Sequence, residues 1–261
     1  MEFFSSVLIF FAGLWAGTIN SVVGSGTLVT FPVLIALGYA PVTASISNAM
    51  GLVAGSAAGA WGYRKELAGR RSQLLRLLPA SLLGGITGAY LLLHLPETVF
   101  HYAAPVLIVV ALLMVVFQPR LQRWVQNREE NPEHAIRDKR HGVLLVVLVY
   151  FAGVYGGYFV AAQGILLVGI LGVFMAGTIQ NANAMKNILV LGVNIVAAVS
   201  YLLFAFERIS WTAVGLIAVS SLIGGLVGSK VGRRLSPPVL RGVIFTLGLV
   251  ALGFMIAKLL Q

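Results

Sequence analysis

The sequence predicts an all-α, polytopic membrane protein. It is expected to have two inverted-topology repeats, each a helical hairpin, re-entrant or fully spanning, plus three spanning helices. Three observations carry this. The 261 residues are 59% hydrophobic and only 10% charged, with mean hydropathy +0.94, whereas a soluble domain carries about 25% charged residues. Residues 3–63 contain no Asp, Glu, Lys or Arg, far beyond the roughly 20 residues that one span needs. That continuity also speaks against a β-barrel, whose segments alternate over about 10 residues. Finally, polar breaks and an Asn-Ala-Met string recur at matching places in the two halves.

The elements follow in order. Residues 3–22 form an apolar helix containing Gly13-Leu14-Trp15-Ala16-Gly17. Met1-Glu2-Phe3-Phe4 lacks the basic region of a signal peptide, so this run is expected to be retained. The break Asn20-Ser21-Val22-Val23-Gly24-Ser25-Gly26-Thr27 follows, and then a run over 27–38 that includes Pro32 and is too short to cross comfortably. Irregular backbone at membrane depth is tolerated only where protein or a water-filled cavity surrounds it. After the turn Gly38-Tyr39-Ala40-Pro41, residues 42–63 form a helix with Ser45, Ser47 and Asn48, then Gly51, Gly55 and Gly59 at spacing four, a comb that lets another helix approach closely. Spans at 77–94 and 99–118 are joined by His94-Leu95-Pro96-Glu97, which places His94 and His101 at an interface.

The second half restarts the pattern. Phe151-Ala152-Gly153-Val154-Tyr155-Gly156-Gly157 echoes Phe11 to Gly17, and Val160-Ala161-Ala162-Gln163-Gly164 stands where the first break stood. A short run to Gly177, a helix to Phe206 and spans at 211–230 and 240–259 complete it, with Gly224, Gly228 and Gly232 as a second comb. The chain therefore divides into an N-terminal repeat (1–118), a hydrophilic linker (119–141), part of it expected as a surface helix, and an inverted C-terminal repeat (142–261). Loops 64–76, 119–141 and 230–241 hold 15 of the 18 basic residues. With each half crossing an odd number of times, all three loops fall on one side when both termini are outside. The positive-inside rule makes that side cytoplasmic in a cell membrane.

The net charge of +10 thus belongs to loops between apolar runs and gives no reason to expect nucleic acid as a partner. Zero cysteines exclude disulfides and thiolate chemistry. There is no His-Glu-x-x-His, no Gly-x-Ser-x-Gly and no P-loop. No enzyme activity, metal or cofactor is expected. The acids Glu2, Glu66, Glu97, Glu129, Glu130, Glu133, Asp138 and Glu207 all lie at ends or in loops, so a buried carboxylate proton relay is not visible.

One cation breaks this pattern. From Gly142 to Phe206 the only charged residue is Lys186, in Gln180-Asn181-Ala182-Asn183-Ala184-Met185-Lys186-Asn187. Placing a cation there costs roughly 2.5–3.5 kcal/mol on insertion scales. For a helix starting near Thr178, Lys186 lies about 12 Å in. Asn183, Lys186 and Asn187 share a face, which Gln180 and Asn194 extend. The first half has Asn48-Ala49-Met50-Gly51, with glycine in place of the lysine. The candidate site is therefore an anion site in which the tips of the two breaks meet. Gly24, Ser25, Gly26 and Gly164 would offer backbone donors. Asn20, Asn48, Gln163, Asn183 and Asn187 would offer side-chain hydrogen bonds, and Lys186 the countercharge. Other readings remain beside this one: the breaks as plain turns, Lys186 snorkelling to an interface or bonding helix C-terminal carbonyls, and Asn48 as an interhelical hydrogen bond. Trp15, Tyr155 and Tyr158 contact lipid or core, or line a pathway.

The stretch from Ala12 to Leu34, with Ala12-Gly13, Gly24-Ser25-Gly26 and Pro32-Val33-Leu34, followed by Ala44 to Asn48, resembles the opening motif of the sulfite exporter TauE/SafE family, also called the 4-toluene sulfonate uptake permease family. The resemblance covers the whole chain in layout and residues 12–50 in motif. It implies a secondary transporter moving sulfite, sulfonates or related organosulfur anions, often outward, with roles at Asn20, Gly24, Gly26 and Asn48. The role of Lys186 rests on the physical argument alone. The partners expected are a small anion and the lipid bilayer, with a homodimer an open option. A passive anion channel on the same scaffold is the main alternative, and an intramembrane enzyme or structural subunit a weaker one.

Overall fold

Apolar runs without charge leave the backbone one economical way to satisfy its N–H and C=O groups in lipid, the α-helix. The computed structural model describes residues 3–129, 139–175, 178–231 and 237–259, and its regular structure is helical throughout. The helices are α1 (Phe3–Val22), α2 (Thr27–Ala36), α3 (Pro41–Gly62), α4 (Arg71–His94), α5 (Glu97–Glu129), α6 (Lys139–Tyr158), α7 (Gln163–Phe174), α8 (Ile179–Phe204), α9 (Trp211–Val231) and α10 (Pro237–Leu259), with short 3-10 turns at Arg64–Leu67 and Phe206–Arg208. Pro41 opens α3 at a position where its missing N–H is harmless. Thr178 and Asn181 cap α8 reciprocally, with the Asn181 N–H donating to Thr178 Oγ1 at 3.3 Å and the Thr178 N–H to Asn181 Oδ1 at 3.0 Å.

Two boundaries differ from expectation by more than a turn. Helix α4 starts at Arg71 rather than at 77, and α5 runs on to Glu129 rather than stopping at 118. Arg71, Arg76, Arg120 and Arg123 therefore ride on helix ends. Arginine is a good helix former and its long stem reaches headgroups without breaking the helix. Lys139 and Arg140 likewise open α6. The linker centre with Glu130, Glu133, Arg137 and Asp138, the turn at Gly177, and the loop Gly232-Arg233-Arg234-Leu235-Ser236 lie outside the described residues.

Neighbouring contacts fix the helix directions. Gly13 meets Ile217 and Ser220, Gly17 meets Ser221, and Gly228 meets Thr18 and Ser21, so α1 and α9 run parallel. Gly51 meets Ile217, Gly55 meets Ser221 and Gly62 meets Ser229, so α3 runs with them. In the other group Gly84 meets Tyr150 and Val154, and Gly88 meets Val154 and Tyr158, which makes α4 and α6 parallel. Ser81 meets Leu189, and Gly85 meets Val193 and Val196, which adds α8. The two groups are opposed, because Ser56 meets Asn194 whereas Gly59, one turn further on, meets Asn187, one helical stretch earlier. Thus α1 opposes α6, α3 opposes α8 and α4 opposes α9, as inverted repeats require. The halves are interleaved: α9 packs on α1 and α3, and α4 on α6 and α8.

Helices α1, α4, α5, α8 and α9 are long and apolar enough to cross a membrane. By contrast α2 and α7, with ten and twelve residues, rise only about 15 and 18 Å, near half of a hydrocarbon core of roughly 30 Å. They are the short return arms of the two hairpins. Large side chains such as Leu83 and Ile86 on α4, Val147 and Phe151 on α6 and Leu203 and Phe204 on α8 point outward, as a lipid-facing surface demands. Tyr90 stacks on His94 with centroids 4.0 Å apart at one end of α4, and Arg64 lies 4.1 Å above the Trp61 ring beyond α3. Trp15 is partly exposed, while Tyr155 and Tyr158 pack on the core.

Candidate functional site

The first break follows from how α1 ends. The N–H groups of Val23 and Gly24 both turn back to the Ile19 carbonyl, at 2.7 and 3.1 Å, and Gly24 adopts φ +89°, a conformation glycine allows. The carbonyls of Asn20 and Ser21 thereby lose their intrahelical partners. Helix α8 supplies replacements across the interface. Lys186 Nζ donates to the Asn20 carbonyl at 3.0 Å, and Asn187 Nδ2 to the Ser21 carbonyl at 3.5 Å. A cation at a helix C-terminus also meets the negative end of the helix dipole.

The second break is built differently. Val160 and Ala162 take φ 65° and 58°, where glycine would be relaxed and other residues are strained. Tyr201 Oη donates to the Gly157 carbonyl at 2.9 Å and so serves the end of α6. The two tips touch: the Gly164 N–H donates to the Gly24 carbonyl at 3.1 Å. A Cβ placed on Gly24 would stand 2.6 Å from the Gly164 Cα, and one on Gly164 would stand 2.9 Å from Lys186 Cδ. Only glycines permit this approach, and the Lys186 stem crosses directly beside it.

Polar side chains surround the contact. Ser56 Oγ accepts from Asn20 Nδ2 at 3.2 Å and from Asn194 Nδ2 at 3.1 Å, tying α1, α3 and α8 together. Lys186 is 1% exposed and has no carboxylate partner among the described residues. The hydroxyl of Ser25 and both amide atoms of Gln163 are buried without a hydrogen-bond partner among the described residues. Such groups are uncommon in a folded protein and mark places where further hydrogen bonding is expected.

The structure therefore brings Asn20, Gly24, Gly164, Lys186 and Asn187 into one cluster, with Ser25 and Gln163 on the adjoining break segments. Other predicted members stand apart. Asn48 bonds within its own half, accepting from Thr30 Oγ1 and donating to Thr27 Oγ1 at 3.1 Å, which clamps the start of α2 to α3. Gly26 admits the close return of α2 on α1, since a Cβ there would lie 2.3 Å from the Ala16 carbonyl oxygen. Asn183 is half-buried and Gln180 exposed. The Gly164 N–H, expected as a free donor, is engaged by Gly24 in this conformation. Ser21, Ser56 and Tyr201 escaped sequence reasoning. Asn187, Asn194 and Tyr201 recur every seven residues, one stripe along α8 that could have shown the last of them.

A family model described as Sulfite exporter TauE/SafE matches residues 9–255, nearly the whole chain. The chain belongs to the TauE/SafE sulfite exporter family. Its curated relatives include the "Probable membrane transporter protein YfcA" of Escherichia coli (strain K12), 25% identical over 87% of this chain and 79% of the relative. A "Probable membrane transporter protein ORF9" of Sinorhizobium sp is 25% identical over 88% of this chain and 84% of its own. A "Probable membrane transporter protein" of Haemophilus influenzae is 22% identical over 85% and 83%. No solved structure matches the chain. This TauE/SafE member is thus a multi-pass membrane protein of a transporter family, and its polar centre sits where the broken helices of its two halves meet.

Proposed function

We propose that this TauE/SafE protein is a secondary transporter, working outward, for a small anion such as sulfite or an organosulfonate. Alternating access would occur around the contact of the two breaks. The observation that carries this reading is Lys186, buried at that contact with a single carbonyl as its partner among the described residues. A charged hydrogen bond of this kind contributes about 1.5–3 kcal/mol, while withdrawing an ammonium from water costs several kcal/mol. The deficit leaves a centre that gains from an incoming anion. In this reading Lys186 exchanges the Asn20 carbonyl for the substrate oxyanion, and Asn187, Gln163 and Ser25 complete its hydrogen bonding. The halves 1–118 and 142–261 move against one another, and the basic faces of the loops lie in the cytoplasm with both termini outside.

The test is efflux and uptake of radiolabelled sulfite in proteoliposomes, comparing wild type with Lys186→Ala. A fall in rate of at least tenfold is expected. Equal rates and affinities in the two proteins would remove Lys186 from the mechanism. Stabilisation of the wild type by cations or neutral solutes alone, in a thermal-shift screen, would remove the anion.

A further inference from the structure

A groove of about 610 Å³ lies between α5 and α7. Leu113 and Phe117 on α5 face Gly169 and Ile170 on α7, and Arg120 stands at one end. Its direction follows from the fold. Phe100, near the start of α5, packs on Tyr158 and Phe159 at the end of α6, and α7 folds back along α6, so α5 and α7 descend together from the same level. Since α7 starts at the central break, the groove runs from the middle of the molecule to the face that carries Arg120.

The dimensions match one leaflet. From Val110 to Arg120 the α5 lining rises about 15 Å, half of a core of roughly 30 Å. At the other end of α5, Glu97 pairs with Arg208 at 3.4 Å, about 35 Å from Arg120 along the helix. Arg120 is therefore at headgroup depth. Its guanidinium rests 5.4 Å from the Phe117 ring centroid, and it has no carboxylate partner among the described side chains. Arg123, nearly one turn on, is exposed.

The groove is lined by apolar side chains apart from Arg120, so it offers nothing to a free anion along its length. A flexible hydrocarbon chain ending in a negative headgroup satisfies both parts of the site. Basic residues near a membrane surface are attracted to anionic lipid headgroups.

We propose that this groove binds one acyl chain of an anionic phospholipid, with Arg120 on the phosphate, at the face of the molecule that carries Arg120. The claim is independent of the transport reading, and its test measures binding alone. The full chain, purified in detergent, is incubated with phosphatidylglycerol, phosphatidylcholine or glycerol phosphate, and bound adducts are read by native mass spectrometry. Phosphatidylglycerol is expected to be retained at least fivefold over phosphatidylcholine, and glycerol phosphate not at all. R120Q should abolish the preference, R120K should keep most of it, and Ile170→Trp, which fills the groove, should lower retention of both lipids. Equal retention of the two lipids by wild type, or unchanged phosphatidylglycerol retention in R120Q, would overturn the proposal. So would retention of glycerol phosphate alone. If Ile170→Trp instead dissociates a dimer and leaves lipid retention intact, the groove is a self-association face and the proposal is wrong.

Discussion

Lys186 and the residues of the two breaks hold the sharpest chemistry. The lysine is buried against the Asn20 carbonyl, its one hydrogen-bond partner among the described residues, and replacing a poorly paired buried charge by an apolar side chain of similar volume is often close to neutral. Lys186→Met should therefore shift unfolding stability by less than about 2 kcal/mol, since the orphaned Asn20 carbonyl costs about what the removed charge did, while anion flux falls at least tenfold. Thermal unfolding in detergent and proteoliposome flux separate these effects. Strain gives a second prediction. Ala162 holds φ 58° without being glycine, and such residues store on the order of 1 kcal/mol or more. Ala162→Gly should raise stability by about 1 kcal/mol, with a higher midpoint in thermal unfolding. Gly24→Ala should do the reverse and strongly, because φ is +89° and the new Cβ would meet the Gly164 Cα at 2.6 Å. A midpoint unchanged in Gly24→Ala would mean that the two breaks do not touch.

Glycine faces control the packing of whole helices. Without a hydrophobic force between helices in lipid, close backbone approach supplies the contact. A Cβ on Gly84 would lie 2.2 Å from the Tyr150 carbonyl oxygen, and one on Gly224 would lie 2.0 Å from that of Leu14. Gly84→Leu should therefore separate α4 from α6 and destabilise the fold by about 3 kcal/mol or more. Gly215→Ala is the control. It sits on the same kind of helix with nothing within 4 Å of the new atom, and should be neutral or stabilising by up to about 1 kcal/mol. Circular dichroism melts of the two variants check this, and equal loss in both would show that the glycine contacts are not what holds the helices.

For the whole molecule, the absence of cysteine makes two experiments direct. K65C, beside the basic end of α3, and T98C, at the start of α5, are both exposed. Impermeant maleimide should label T98C in intact cells and K65C only after lysis, as the proposed orientation requires. The opposite pattern would invert the topology. Ser56 and Asn194, whose side chains meet at 3.1 Å, join α3 of one half to α8 of the other. The double variant S56C/N194C should lose transport when mercuric ion bridges the thiols and regain it with dithiol. Transport that survives the bridge would exclude relative movement of the halves at this point.

Composition and pattern alone determined much of this protein. A long run without charge admits only helices in a bilayer, and the recurrence of breaks, glycines and Asn-Ala-Met implied two related halves. The mid-depth place of Lys186 was legible too, as a lone charge on an amide-bearing face of an otherwise apolar run, with snorkelling to an interface as the other reading. What the tertiary structure alone decided is where the lysine goes. Its partner, the Asn20 carbonyl, is a backbone atom 166 residues away, and backbone atoms carry no mark in a sequence. The same holds for the Gly164 N–H on the Gly24 carbonyl and for the pairing of α9 with α1 and of α4 with α6. Hydrophobic periodicity says that a helix must bury a face. It cannot say against which helix, since in lipid the choice rests on short-range fit between backbones, and that fit exists only once the chain is folded.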